Sequence, residues 1–176
     1  AGNDRLYGDY AVGVDYVTGN SLYGVCGYQN DSFNSDDILY GGPGNDLLCG
    51  GYGDDTIDGG TGTDTLYGNN GTDTFVIRAG DGSTDISAAD VVKDFTDGTD
   101  VIGMDSLSFD NLTIGQGTGS YSNDTLVSLT STSEVLAILE GLAVTNITVV
   151  DFVLNTTTSQ TLSGDSSNDT IIGGQG

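Results

Sequence analysis

Large apolar residues recur along the middle of the chain at nine-residue intervals. They are Leu39, Leu48, Ile57, Leu66 and Phe75, and each follows an aspartate by two positions: Asp37, Asp46, Asp55, Asp64 and Asp73. Between successive pairs lie glycine-rich tetrads, Gly41-Gly42-Pro43-Gly44, Gly50-Gly51-Tyr52-Gly53, Gly59-Gly60-Thr61-Gly62 and Gly68-Asn69-Asn70-Gly71. Each unit therefore reads G-G-x-G-x-D-x-U-x, with U a large apolar residue. A flexible Gly/Asp linker would not keep acid and apolar positions in phase over five units. The last three residues of a unit predict a short strand whose central apolar side chain points inward. Two units then close one coil turn, so residue i stacks on i+18. Leu39, Ile57 and Phe75 are expected to line one sheet, Leu48 and Leu66 the other, with neighbouring strands about 4.8 Å apart. Ile38, Tyr40, Leu47, Cys49, Thr56, Asp58, Thr65 and Tyr67 are then expected to face outward.

The polar half of the unit suggests a chemistry. Paired glycines allow positive φ and close approach of backbone to an ion. Such a turn directs several carbonyl oxygens toward one point, and the aspartate adds a carboxylate. Calcium takes 6–8 oxygens of both kinds, and this nonapeptide is a calcium-binding β-helix signature. Several calcium ions are expected, bridging loops of successive turns. The candidate ligand residues are Asp37, Gly42, Gly44, Asp46, Gly51, Gly53, Asp55, Gly60, Gly62, Asp64, Gly71 and Asp73.

On these repeats the chain resembles the RTX, or hemolysin-type calcium-binding, family. The resemblance implies an all-β, right-handed parallel β-roll (a β-solenoid) that is disordered without calcium and folded with it. It also implies a secreted, extracellular protein of bacterial origin exported by a Gram-negative-type route.

The flanking regions divide the chain into 1–77, 78–155 and 156–176. In the first, Asp4 with Leu6 and Asp15 with Val17 occupy the ligand and apolar positions, and residues 20–34 read as a loop bulging from the roll. In the second, strands are expected over Asp90–Phe95, Val101–Met104, Leu112–Ile114, Thr125–Leu129, Val135–Leu139 and Ile147–Phe152. Its D-x-x-x-D-F, G-x-D-x-I and closing D-F elements resemble the region that follows the repeats in RTX proteins, which extends and partly caps the roll. Asp90, Asp94, Asp97 and Asp100 are candidates for a further calcium site, with Asp90 and Asp100 as ligands; solvated turn residues are the alternative. In the third, Asp169 and Ile171 return to phase, and Gly174 and Gly176 belong to a further glycine turn.

Composition narrows the function. Acids outnumber bases 26 to 3, and the net charge is −23. Such a charge opposes binding to nucleic acid or anionic membranes, and no segment is apolar enough for membrane insertion. No histidine is present, and neither H-E-x-x-H nor G-x-S-x-G occurs, so no catalytic residues are expected and the chain is read as not an enzyme. Cys26 and Cys49 are the only cysteines, and a disulfide and two free thiols are both open. Three functions are weighed. The first is an extracellular structural protein that joins copies of itself head-to-tail, between subunits or as tandem repeats of a longer chain, into a fibre or surface layer, because Gly173-Gly174-Gln175-Gly176 offers a glycine turn lacking its aspartate and Asn3-Asp4-Arg5-Leu6 an aspartate lacking its glycines; a piece cut from a larger protein is the alternative. The second is a calcium-dependent folding and secretion module of a protease, lipase or adhesin. The third, an ice-binding or adhesive face, would need a regular threonine array, which the outward positions lack.

Overall fold

The computed structural model describes residues 5–7 and 36–154. Twelve strands are described: β1 (Arg5–Tyr7), β2 (Ile38–Gly44), β3 (Leu47–Tyr52), β4 (Thr56–Gly62), β5 (Thr65–Asn70), β6 (Thr74–Ile77), β7 (Val91–Val92), β8 (Val101–Met104), β9 (Leu112–Gln116), β10 (Thr125–Leu129), β11 (Val135–Leu139) and β12 (Phe152–Leu154). They form two sheets, ordered β1-β3-β5-β7-β11-β10-β9 and β2-β4-β6-β8-β12. Even-numbered and odd-numbered repeat strands thus go to opposite sheets, as a coil of two nonapeptides per turn requires.

The register is the one the sequence predicts. Leu39 pairs with Ile57 and Ile57 with Phe75 in one sheet, and Leu48 with Leu66 in the other, all in parallel. These five side chains are at most 3% exposed and belong to one core cluster. The cluster continues through Val92, Ile102, Val127, Leu136, Leu139 and Phe152, so one apolar interior runs from the repeats into the region after them. Val92 pairs with Leu66, Ile102 with Phe75 and Phe152 with Ile102. The apolar column of the roll is thereby prolonged by residues outside any nonapeptide.

The repeat strands β2 to β6 are longer than three residues. β2, β3, β4 and β5 run on into the glycine tetrads, where Gly42 pairs with Gly60 and Gly51 with Asn69. Beyond the repeats the arrangement changes. β11 is parallel to β7, but β10 is antiparallel to both β11 and β9. Antiparallel neighbours need only a tight turn, whereas parallel ones need a crossover, and Thr130–Glu134 supplies that turn with Ser133 at φ 60.

Three expectations are corrected. Of Asp90–Phe95 only Val91–Val92 is strand, because Asp90 and Asp94 turn their carboxylates to backbone N–H groups of the preceding coil. Ile147–Phe152 holds a 3-10 turn at Val149–Asp151, closed by the Thr148–Asp151 hydrogen bond, and strand begins only at Phe152. Cys49 and Asp58, expected to face outward, are buried. Cys49 is disulfide-bonded; Cys26, the chain's other cysteine, lies outside the described residues. Asp58 is covered by Arg78, whose guanidinium also reaches Asp81 and Asp105.

Candidate metal centre

Asp55, Asp64 and Asp73 have the same surroundings. The carboxylate of each accepts a hydrogen bond from the backbone N–H of the aspartate one turn earlier. Asp37 donates to Asp55 at 2.8 Å, Asp46 to Asp64 at 2.7 Å and Asp55 to Asp73 at 3.0 Å. The two ladders continue beyond the repeats. Asp64 donates to Asp90 at 2.8 Å and Asp73 to Asp100 at 3.0 Å. All seven of these aspartates are buried, none more than 7% exposed.

The second carboxylate oxygen of Asp46, Asp55, Asp64 and Asp73 points at the glycine turn before it. A Cβ on Gly59 would lie 2.5 Å from Oδ2 of Asp64, and one on Gly68 2.2 Å from Oδ2 of Asp73. The same holds for Gly41 against Asp46 and Gly50 against Asp55. These first glycines of the tetrads are therefore required by the carboxylate that fills the space of a side chain. Oδ2 of Asp64 and Oδ2 of Asp73 are buried and have no hydrogen-bond partner among the described residues. Burial pushes the Asp64 and Asp73 carboxyls up to about 6, and Asp90 up to about 8.

Successive loops are in backbone contact. A Cβ on Gly62, where φ is +146, would lie 1.5 Å from the carbonyl oxygen of Gly44. Only glycine permits both that dihedral and that approach. Asn69 takes the second glycine position of its tetrad with φ 70, a conformation asparagine tolerates better than most residues.

Nothing described on the protein neutralises the ladders. Arg78 is engaged with Asp58, Asp81 and Asp105, and Lys93 with Glu140. A buried, unpaired carboxylate oxygen carries a desolvation penalty of about 1–3 kcal/mol or more. Among the described residues no three acidic or cysteine side chains converge on one point, so a cation here would take carboxylate oxygens together with loop carbonyls. That mixed set suits calcium, and the buried oxygens facing glycine turns fit it. A calcium ion, when bound, would supply the positive charge that the ladder lacks.

Of the sequence-derived ligand residues, Asp37, Asp46, Asp55, Asp64, Asp73, Asp90 and Asp100 fall in the two ladders, and Gly42, Gly44, Gly51, Gly53, Gly60, Gly62 and Gly71 in the stacked turns with positive φ. Asp4, Asp15, Asp169, Gly174 and Gly176 lie outside the described residues. A single site shared by Asp90, Asp94, Asp97 and Asp100 is not formed. Asp90 and Asp100 join different ladders, Asp94 accepts from Gly68 and Asn69, and Asp97 is exposed.

A second set of ligand-type oxygens went unread in the sequence. Asp36 accepts from the backbone N–H of Asp54 at 2.8 Å, Asn45 from Thr63 at 3.2 Å and Asp54 from Thr72 at 2.7 Å. These residues reach forward one turn, whereas the inner aspartates reach back. The signal was the run of short acceptors Asp36, Asn45 and Asp54 at nine-residue spacing.

Comparison with known proteins agrees with this geometry. The RTX calcium-binding nonapeptide repeat matches four times, over residues 34–51, 40–75, 50–83 and 156–176. The fold is similar to the solution structure of the AlgE6R3 subunit from the Azotobacter vinelandii mannuronan C5-epimerase, with TM-score 0.52 and 20% identity over 96% of this chain and 93% of that one. No curated protein matches the chain. By its repeats, its coil and the aspartates that join the coil's turns, this chain carries copies of the RTX calcium-binding nonapeptide repeat, and calcium is the ion of those repeats.

Proposed function

We propose that the chain is a calcium-loaded structural module of a secreted bacterial protein, folding when calcium enters the aspartate ladders and stacking head-to-tail with copies of itself. The observation that carries the calcium part is the buried, partnerless Oδ2 of Asp64 and of Asp73 facing their glycine turns. The stacking part is supported by the way one turn holds the next. Among the described repeats, loops meet through backbone hydrogen bonds and through the side-chain oxygens of aspartate and asparagine. A turn supplied by another copy would meet the same groups, and a heterologous contact that does not close builds a fibre. Like-charged copies would associate only with calcium between their carboxylates.

Circular dichroism and sedimentation velocity, each with calcium and with chelator, test this. A large gain of β signal and of sedimenting mass on adding calcium is expected. A β-roll fully formed without divalent ions overturns the calcium reading, and a strictly monomeric calcium form overturns the stacking reading. A second reading, a folding or secretion module beside a catalytic domain, is favoured by the fold's likeness to a subunit of an epimerase. A native protein much larger than this chain and carrying enzymatic activity would decide for it. No helix among the described residues is long and apolar enough to cross a membrane.

A further inference from the structure

Beyond the repeats the described chain holds three asparagines, and each stands two residues before a threonine: Asn111-Leu112-Thr113, Asn123-Asp124-Thr125 and Asn146-Ile147-Thr148. Serine and threonine are 38 of the 176 residues, about one in five, so three such tripeptides from three asparagines exceed what chance supplies. Asparagine favours turns for its own reasons, but those reasons place no threonine two residues on. The repeats show the difference. Asn45 holds its turn through Oδ1 and Asn69 through a positive φ, and neither has serine or threonine at that offset. Asn70 does, but its Thr72 repeats Thr63 nine residues earlier and belongs to the nonapeptide.

The fold gives these three threonines no common task. Thr113 meets the Thr130 hydroxyl at 2.8 Å on the surface. Thr125 is fully buried, its Oγ1 donating to the Leu142 carbonyl at 2.7 Å. Thr148 donates to Asp151 at 3.1 Å. The asparagines, by contrast, are alike. All three are exposed on turns: Asn111 and Asn146 each end a 3-10 turn, and Asn123 lies in the turn before β10. Asn111 accepts from Ser108 and Asn146 from Thr145, both through Oδ1. Nδ2 of each asparagine has no hydrogen-bond partner among the described residues.

We propose that Asn111, Asn123 and Asn146 are acceptor sites for N-linked sugar, attached before β10 is in place. Asn-x-Thr is the acceptor motif of that modification, and the co-substrate is a sugar diphosphate. Nδ2 attacks the anomeric carbon and forms the C–N bond. The C–O bond to phosphate breaks, the diphosphate leaves with the electron pair, and one amide proton passes to a base of the transferase. The motif needs its threonine as well as its asparagine. Thr125 is paired with Gln116 on one side and Leu139 on the other, so the folded chain cannot present it. The exposed asparagines then carry their sugars outside the core.

Peptide mapping by mass spectrometry of the protein from its native source tests the sites. Peptides holding Asn111, Asn123 and Asn146 should carry sugar mass, and three bare asparagines overturn the proposal. The order of events rests on the reading that calcium folds the chain, and has its own test. Sugar-free chain is incubated with an Asn-x-Thr transferase and its sugar diphosphate, in calcium and in chelator, with circular dichroism of both. Asn123 should be modified at least about tenfold faster in chelator, where β10 opens. Equal rates, with β signal only in calcium, overturn the order. Equal rates with β signal in both overturn the calcium reading instead, and the native map still decides the sites. Thr125→Ala should abolish transfer to Asn123 in chelator, where folding of the variant is immaterial; transfer that persists overturns the assignment of that site.

Discussion

The backbone N–H of Asp64 donates to the carboxylate of Asp90 at 2.8 Å, although 26 residues separate them. Within the repeats the same bond spans 18. The coil therefore makes an excursion of 26 − 18 = 8 residues, between β6 and β7 of its path, and returns to the same ladder. Asp73 and Asp100 do likewise over 27 residues. The unit that is preserved is the bond between turns and the apolar column behind it, not the nine-residue spacing.

Asp55 sits in the middle of one ladder, accepting from Asp37 and donating to Asp73. Asp55→Ala should leave the Asp37 N–H without its acceptor and remove one carboxylate from the turn, destabilising the calcium form by about 1–3 kcal/mol. The calcium midpoint of folding should rise accordingly. Asp110→Ala is the control, since Asp110 is exposed on a 3-10 turn, and should stay within about 0.5 kcal/mol of the parent. Asp105 would be a poor control, because it is bonded to Arg78. Denaturant titrations at fixed calcium that show equal losses for both variants would break the assignment.

Gly62→Ala should be far more damaging than Gly98→Ala. Both glycines have positive φ, but a Cβ at Gly62 meets the Gly44 carbonyl whereas one at Gly98 meets nothing within 4 Å. The dihedral alone costs about 1–2 kcal/mol; at Gly62 the loops must also separate. Thermal melts in calcium would separate the two, and similar losses would mean that the loops are not in contact.

Acid should fold the metal-free chain. Burial raises the carboxyls of Asp64 and Asp73 to about 6 and of Asp90 to about 8, above the unfolded value near 4. The folded state then binds more protons than the unfolded one, and its stability falls as pH rises. This contribution is fully present below about pH 4 and is lost through the window from about 4 to 8. Calcium-free protein followed by circular dichroism should gain β signal as pH drops from 8 to 5. A gain on raising pH would contradict the burial of these groups.

Arg78→Gln should destabilise the chain with or without calcium, by about 1–3 kcal/mol, because Asp58 is buried beneath the guanidinium. The Asp58, Asp81 and Asp105 carboxylates hold Arg78 well above its usual range. A calcium titration should show reduced stability at every calcium concentration rather than a shift that saturating calcium removes.

How far the sequence could be read follows from what its spacing encodes. Asp37 to Phe75 showed register, sheet assignment and inward residues, because each unit repeats the same local conformation. Val101–Met104, Thr125–Leu129 and Val135–Leu139 were legible as strands from β-branched and apolar runs. The antiparallel turn of β10 on β11 was not, since nothing in Thr125–Leu139 specifies which neighbour a strand takes. The burial of Asp58 was not legible because its partner Arg78 is 20 residues away and outside the repeat. Asp90 and Asp100 were picked out as ligands, but their membership in separate ladders depends on one eight-residue excursion that both bonds span and on one extra residue between Asp90 and Asp100.

The outer residues Asp36, Asn45 and Asp54 accept from the turn ahead, and the inner aspartates from the turn behind. A stack built this way has a direction. One face of any turn offers outer backbone N–H groups and inner carboxylates, and the other offers the reverse. A turn arriving upside down would set carboxylate against carboxylate and N–H against N–H, so the stack distinguishes its two ends chemically. Growth of such a column, within a chain or between chains, keeps one polarity, as a screw thread accepts a nut from only one hand.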